Sequence, residues 1–225
     1  MTARVVADDA EGRAAAVEIL LAGGIVALPT DTVYGIAVAL DAPGGIGRLF
    51  QIKRRPPEKA IALLLDSVDQ AGSVGLMGPA ARALADACWP GGLTVVVAQR
   101  PDVPVPAALG GGAVTIGLRV PDHPAPRALA RAVGPLPTTS ANVSGLPEAR
   151  DAAEILEQLG DAVDLILDGG RAHGGPASTV VDCSEDVPRI LRAGAIPVDR
   201  VAEVLDAAGV SHTLACADTI VARGQ

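Results

Sequence analysis

Short runs of aliphatic and β-branched residues alternate with Ala/Leu-rich windows along nearly the whole chain, and this alternation restricts the architecture more than any single motif. Strand-length and helix-length apolar segments that take turns specify an α/β fold, not separate α and β blocks. The spacing predicts helices over 11–22, 46–53, 79–88, 126–133, 152–159 and 198–208, the first closed by Gly23-Gly24. Strands are expected at 25–28, 34–40, 61–65, 94–98, 114–120, 165–167, 179–182 and 189–191. Several of these follow one another through short links, so an open, twisted, mixed sheet flanked by helices is expected. Residues 1–210 read as a single domain, and residues 211–225, which lack periodicity, as a loose C-terminal tail.

Composition narrows the function classes. With 49% hydrophobic residues among 225, the chain can bury a substantial core without disulfides or metals. No stretch approaches the ~20 apolar residues of a membrane span, and the acidic N-terminus lacks the apolar core of a secretory signal. A cytoplasmic, non-membrane protein is expected. Cys88, Cys183 and Cys216 are widely separated, and His123, His173 and His212 fall in no ligand spacing, so no protein-held metal is expected. A net charge of −8 opposes general nucleic-acid binding, and a single Tyr34, Phe50 and Trp89 leave few stacking platforms.

Any anionic substrate must then meet a local cationic cluster. The chain has only two lysines, Lys53 and Lys59, and both fall in Lys53-Arg54-Arg55-Pro56-Pro57-Glu58-Lys59, while arginine fills the other 16 basic positions. A compact ammonium suits a site where phosphate oxygens are gripped from several directions. A helix end stopped by Pro-Pro accounts for the same residues without a ligand. No P-loop signature occurs, so a bound nucleotide would be held by side chains.

Four further segments carry chemistry. Pro29-Thr30-Asp31-Thr32-Val33-Tyr34-Gly35 is a polar turn between two buried strands. Alternation in 115–119 places Thr115, Gly117 and Arg119 on one face, where the guanidinium requires an anionic partner, structural or substrate. Thr138-Thr139-Ser140-Ala141-Asn142-Val143-Ser144 crowds five hydroxyl or amide side chains into seven positions, suited to capping a helix or to binding phosphate or carboxylate oxygens. Ser178 and Arg192 stand at the edges of two apolar strands. No Ser/His/Asp or Cys/His set points to a covalent intermediate.

Taken in order, these segments resemble the YrdC-like family, and within it the threonylcarbamoyl-adenylate synthases of the TsaC type. The resemblance runs from about Gly23 to Ile196. It rests on the PTDTVYG turn, a K-x-R pair at Lys53 and Arg55, and R-x-P-x-H-P at Arg119, Pro121, His123 and Pro124. Ser140 with Asn142 supplies an S-x-N pair, and P-x-S-T-V-V-D starts at Pro176. The resemblance implies a YrdC-like fold with a central substrate cavity, in the short, single-domain form.

It also implies conversion of L-threonine, bicarbonate and ATP to threonylcarbamoyl-adenylate and pyrophosphate, with Mg bound through ATP. Downstream threonylcarbamoyl-transferase proteins would then modify tRNA, which the chain itself would touch only transiently. By motif position, Thr32, Arg119, Thr138 and Ser178 would bind threonine. Arg55, Lys59, Thr115, Ser140 and Arg192 would bind ATP, with Asn142 and Ser144 close to the phosphates, and Lys53 and Arg55 would be catalytic. The chain departs from the family pattern at Gly92, Ala60-Ile61 and Ala193, and Leu64 stands where longer relatives carry a histidine. Two other readings remain open: a non-catalytic paralogue that binds RNA or assists ribosome assembly, and a relative that forms carbamoyl-adenylate.

Overall fold

The aliphatic runs pair into one ten-stranded sheet, seen in a computed structural model that describes residues 3–54, 56, 59–111, 114–172, 174–212 and 214. In chain order the elements are β1 (Arg4–Ala7), α1 (Ala10–Leu21), β2 (Val26–Leu28), β3 (Gly35–Ala37), α2 (Gly45–Lys53), β4 (Ala62–Leu64), α3 (Val68–Val74), α4 (Pro79–Cys88) and β5 (Leu93–Ala98). They continue with β6 (Thr115–Arg119), α5 (Pro124–Val133), β7 (Leu136–Ser140), α6 (Ala152–Leu159), β8 (Leu165–Asp168), β9 (Thr179–Asp182), β10 (Arg189–Arg192) and α7 (Val198–Ala207). The strand order is β1-β8-β2-β3-β7-β4-β6-β5-β9-β10. β1 and β2 run parallel to β8, β4 to β6 and β5 to β9, and the remaining pairs are antiparallel. The expected mixed sheet is present.

Two cores sandwich the sheet unequally. On one face Ile36, Leu63, Val95, Val97, Ile116, Leu118 and Val181 pack with residues of α2, α3, α4, α6 and α7, covering all but the β1 edge, where Val5 is exposed. On the other, Val26, Leu28, Ala37, Leu64, Leu136, Leu165 and Leu167 pack only under α1 and α5. Strand alternation sends Thr94 and Val96, and Thr115, Gly117 and Arg119, to that second face, beyond the helices. This uncovered strip is the floor of a cavity.

Three elements differ from the sequence expectation. β1 is a four-residue edge strand, mostly exposed, with too short an apolar pattern to stand out. α3 starts at Ser67, whose hydroxyl accepts from Gln70 N, and its seven residues include Gly72, which masks the helical pattern. In β7 the polar run continues the strand through Ser140, because Thr138, Thr139 and Ser140 pair with β3. The tail expected over 211–225 falls mostly outside the described residues, and Leu214 packs against the larger core.

Tyr34 ties the polar turn to the rest of the sheet. Its fully buried phenol donates to Gly170 O at 2.6 Å and accepts from Gly169 N at 3.0 Å, so the 29–34 turn is fastened to the loop after β8. Burial pushes this phenol up to about 12, which keeps it protonated as a donor. Tyr34→Phe strands both backbone groups and is expected to lower stability by about 1–3 kcal/mol, read from the midpoint of urea unfolding at unchanged slope.

Candidate active site

A cavity of about 420 Å³ lies over the uncovered strip, and seven of the residues chosen from sequence line it: Thr32, Thr115, Arg119, Thr138, Ser140, Ser178 and Arg192. Thr115 and Arg119 are four residues apart on β6, which at ~3.3 Å per residue separates the two ends of the floor by about 13 Å. Gly117 lies between them. A Cβ built there would meet Thr94 Cγ2 at 3.4 Å and Ala62 Cβ at 3.5 Å, ordinary contact distances, so the glycine serves to leave space over the floor.

At one end, Arg119 is 7% exposed and joins β6 to the polar turn. Its Nη2 donates to Asp31 Oδ1 at 2.6 Å, Nη1 to Thr32 Oγ1 at 3.3 Å and Nε to Gly91 O at 3.0 Å. Of the five guanidinium hydrogens, two remain for a ligand among the described residues. Thr30 Oγ1 lies 3.1 Å from Thr32 Oγ1 and donates to Val33 O at 2.6 Å, which holds the turn in register with the arginine. The anionic partner required by the sequence is thus Asp31. The pair is structural, and it also aims the remaining edge of Arg119 into the cavity.

Beside it stands a second cation. Arg192 Nη2 donates to Ser178 O at 2.8 Å and to Ser178 Oγ at 3.0 Å, and Nε donates to Ser178 O at 3.0 Å. Burial lowers this guanidinium from its ordinary value; Glu148, at the cavity wall, opposes the shift and Arg119 adds to it. Thr94, buried at the foot of the same group, has Oγ1 2.8 Å from Ser178 Oγ. Sequence reasoning passed over Thr94 and Glu148. For Thr94 the available signal was a lone hydroxyl in an otherwise aliphatic strand, on the same face as Val96.

The far end is organised from behind by a lysine. Lys53, the last residue of α2, is 2% exposed, and its Nζ donates to Ser140 O at 2.7 Å, Ser140 Oγ at 3.0 Å and Asn142 Oδ1 at 2.5 Å. These three acceptors match the three hydrogens of an ammonium. Asn142 Nδ2 donates to Leu146 O at 2.6 Å, and Ser144 N to Lys53 O at 3.0 Å. Lys53, Asn142 and Ser144 therefore form a bracket behind Ser140, and Ser140 is the member that meets the cavity. Arg54 closes α2 in the left-handed region with φ 48°, the helix-stop role its neighbours suggested. Lys59 is exposed and precedes Ala60 on the cavity wall, and Arg55 lies outside the described residues.

The other reactive side chains are spent elsewhere. Burial raises both the Cys88 thiol and the Cys183 thiol, the latter to about 12, far from thiolate chemistry at neutral pH. His123 caps α5, its Nδ1 accepting from Ala125 N at 3.2 Å, and burial lowers its pKa. His173 and Cys216 lie outside the described residues. Among the described residues no group of three His, Cys, Asp or Glu side chains is gathered as for a metal ion.

Comparison with known proteins places this cavity in a family. Residues 18–194 match the model of the Sua5/YciO/YrdC family, described as "Telomere recombination". The chain belongs to the Sua5/YciO/YrdC family. A Mycobacterium leprae protein, provisionally named a threonylcarbamoyl-AMP synthase, is 40% identical over 197 residues, 87% of this chain and 89% of that one. The threonylcarbamoyl-AMP synthase of Klebsiella pneumoniae is 34% identical over 169 residues, 72% of this chain and 88% of that one. Among solved structures of the family, Pyrococcus abyssi Sua5 complexed with L-threonine superposes with a TM-score of 0.84 at 28% identity, over 95% of this chain. The chain spans 63% of that longer protein.

Two outcomes are expected from the geometry. Lys53→Met keeps the length of the side chain and removes its donors, leaving Ser140 O and Asn142 Oδ1 unsatisfied; a loss of about 1–3 kcal/mol in urea unfolding is expected. Gly117→Val adds volume above the floor where the strand backbone tolerates it. The melting temperature should stay within a few degrees while ligand turnover falls more than about tenfold, because close-packed walls cannot yield the lost space.

Proposed function

We propose that the protein is an L-threonylcarbamoyladenylate synthase, which converts L-threonine, bicarbonate and ATP to threonylcarbamoyl-AMP and pyrophosphate. The observation that carries this reading is the single two-ended cavity: an arginine-and-hydroxyl end at Thr32, Arg119 and Ser178, and a hydroxyl end at Thr115 and Ser140, joined over Gly117. Family membership and the names of the relatives support it.

In this reading Thr32, Arg119, Thr138 and Ser178 receive L-threonine, whose carboxylate matches the free edge of Arg119. Thr138 Oγ1 donates to Leu136 O at 2.9 Å, so it presents a lone pair, an acceptor suited to the substrate amine. Thr115, Ser140 and Arg192 receive ATP together with Arg55 and Lys59. Lys53 acts with Asn142 and Ser144 by holding Ser140, whose hydroxyl donates to Asn142 Oδ1 at 2.6 Å, at the phosphate end of the cavity. ATP enters as its Mg complex, with the ion carried by phosphate oxygens and water.

Chemically, the neutral amine of threonine and bicarbonate give N-carboxythreonine and water. A carbamate oxygen then attacks the α-phosphorus, and the bond to the bridging oxygen of the β-phosphate breaks to release pyrophosphate. The carbamate loses CO2 readily in bulk water, so an enclosed site beside the α-phosphate favours capture over decay. The cations stabilise charge moving onto the departing pyrophosphate, and no acid–base residue of tuned pKa is needed.

The product would pass to threonylcarbamoyl-transferase proteins that modify tRNA, with tRNA contact by this chain at most transient. A cytoplasmic setting fits that role, and no helix among the described residues is long and apolar enough to cross a membrane.

The test is pyrophosphate release by the purified protein with each substrate omitted in turn and no RNA present. Release is expected only when threonine, bicarbonate and ATP are all supplied. Release that ignores threonine, or that requires carbamoyl phosphate, would overturn the reading.

A further inference from the structure

Motif position assigns Ser178 to threonine and Arg192 to ATP, yet the two side chains are bonded to one another, and a third, Thr94, is bonded to the same hydroxyl. Ser178 is 6% exposed and Thr94 5%, so water does not compete freely for the bond between them, and Arg192 reaches Ser178 from an exposed position. We infer that Thr94 is a positioning residue for the reaction, locking Ser178 and Arg192 into one unit at the boundary between the two substrates. The inference rests on the synthase reading and adds to it a residue and a coupling.

Hydrogen accounting gives the reason. A guanidinium only donates, so Arg192 occupies one lone pair of Ser178 Oγ at 3.0 Å and, through Nε and Nη2, also the Ser178 carbonyl. In the proposed unit Thr94 Oγ1 donates across its 2.8 Å contact to Ser178 Oγ, which leaves the Ser178 hydroxyl hydrogen without a partner inside the trio. All three residues line the cavity, so that hydrogen is available to a ligand there. Arg192 Nη1 makes no bond to the described residues and is available as well. The unit thus offers one oriented O–H and one cationic edge side by side. That pair matches a carbamate oxygen and a phosphate oxygen held side by side while the carbamate approaches the α-phosphorus. Without the Thr94 hydroxyl, the Ser178 O–H rotates freely and the pairing is lost on half of its geometry.

Three variants separate this from simple packing. Thr94→Val keeps the shape and removes the hydroxyl, whereas Thr94→Ser keeps the hydroxyl and removes the methyl group that lies toward Gly117. The inference expects Thr94→Val to lower turnover per KM for both threonine and ATP by roughly tenfold, the scale of one hydrogen bond, and Thr94→Ser to retain most of the activity. A packing role predicts the reverse order. Because Thr94 acts through Ser178, Thr94→Val combined with Ser178→Ala should be no worse than Ser178→Ala alone. Additive losses, a Ser variant worse than the Val variant, or an effect confined to one substrate would each sink the proposal.

Calorimetric titration of L-threonine and of ATP into the same proteins keeps the two readings apart. Wild-type protein that binds both but releases no pyrophosphate ends the synthase reading and the reaction role of Thr94 with it, whereas an active wild type whose Thr94→Val variant keeps full turnover and affinity ends the inference alone. Wild-type protein that binds neither ends both.

Discussion

The structure depends on an imbalance of cover. Ten strands form one sheet, and helices bury one face from β8 to β10 but only part of the other, under α1 and α5. Apolar strand faces left open would cost free energy, so the residues there must be small or polar. The strip over β7, β4, β6 and β5 largely meets this requirement with Thr138, Ala62, Gly117 and Thr94, with Val96 of β5 and Val180 of β9 as apolar exceptions and Ser178 at the start of β9. A cavity is thereby built into the sheet by omission of a helix, and its floor is as rigid as the strands beneath it.

Charge is handled locally in an otherwise acidic protein. Arg119 is held by Asp31, Thr32 and Gly91 O, Arg192 by Ser178, and Lys53 by Ser140 and Asn142. The two arginines spend part of their hydrogen-bonding capacity on the protein and Lys53 all three of its hydrogens, which fixes their direction before a ligand arrives. Charge oriented in advance need not reorganise as a reaction proceeds, and this is where a site of this kind gains most of its electrostatic stabilisation. Hydroxyls fill the gaps between the cations, consistent with recognition of phosphate and carboxylate oxygens without an aromatic platform.

Much of this was legible in the residues. The alternation of segments predicted the mixed α/β sheet, with α4 and α6 at their observed bounds, and alternation within β6 placed Thr115, Gly117 and Arg119 on the cavity face. Other features were not legible for physical reasons. β1 is an exposed edge whose apolar signal is two valines, and the polar run after Leu136 read as a helix cap or an oxygen-binding run, not as a strand, because its strand faces a cavity, not a core. The concentration of lysine near residue 53 falls beside the cavity, but the partners of Lys53 come from residues 87 and 89 positions away. No local pattern carries that information.

The sequence by itself determined the class of fold, the strand faces and the kinds of group available, because periodicity and side-chain chemistry are local properties. Tertiary structure alone decided which of those groups meet. It turned Arg119 toward Asp31, set Lys53 behind Ser140 and bonded Thr94, Ser178 and Arg192 into one cluster, since these contacts depend on strand order and on the face left uncovered. The lysines that looked like the wall of a phosphate site became, at Lys53, the bracket that holds such a wall in place.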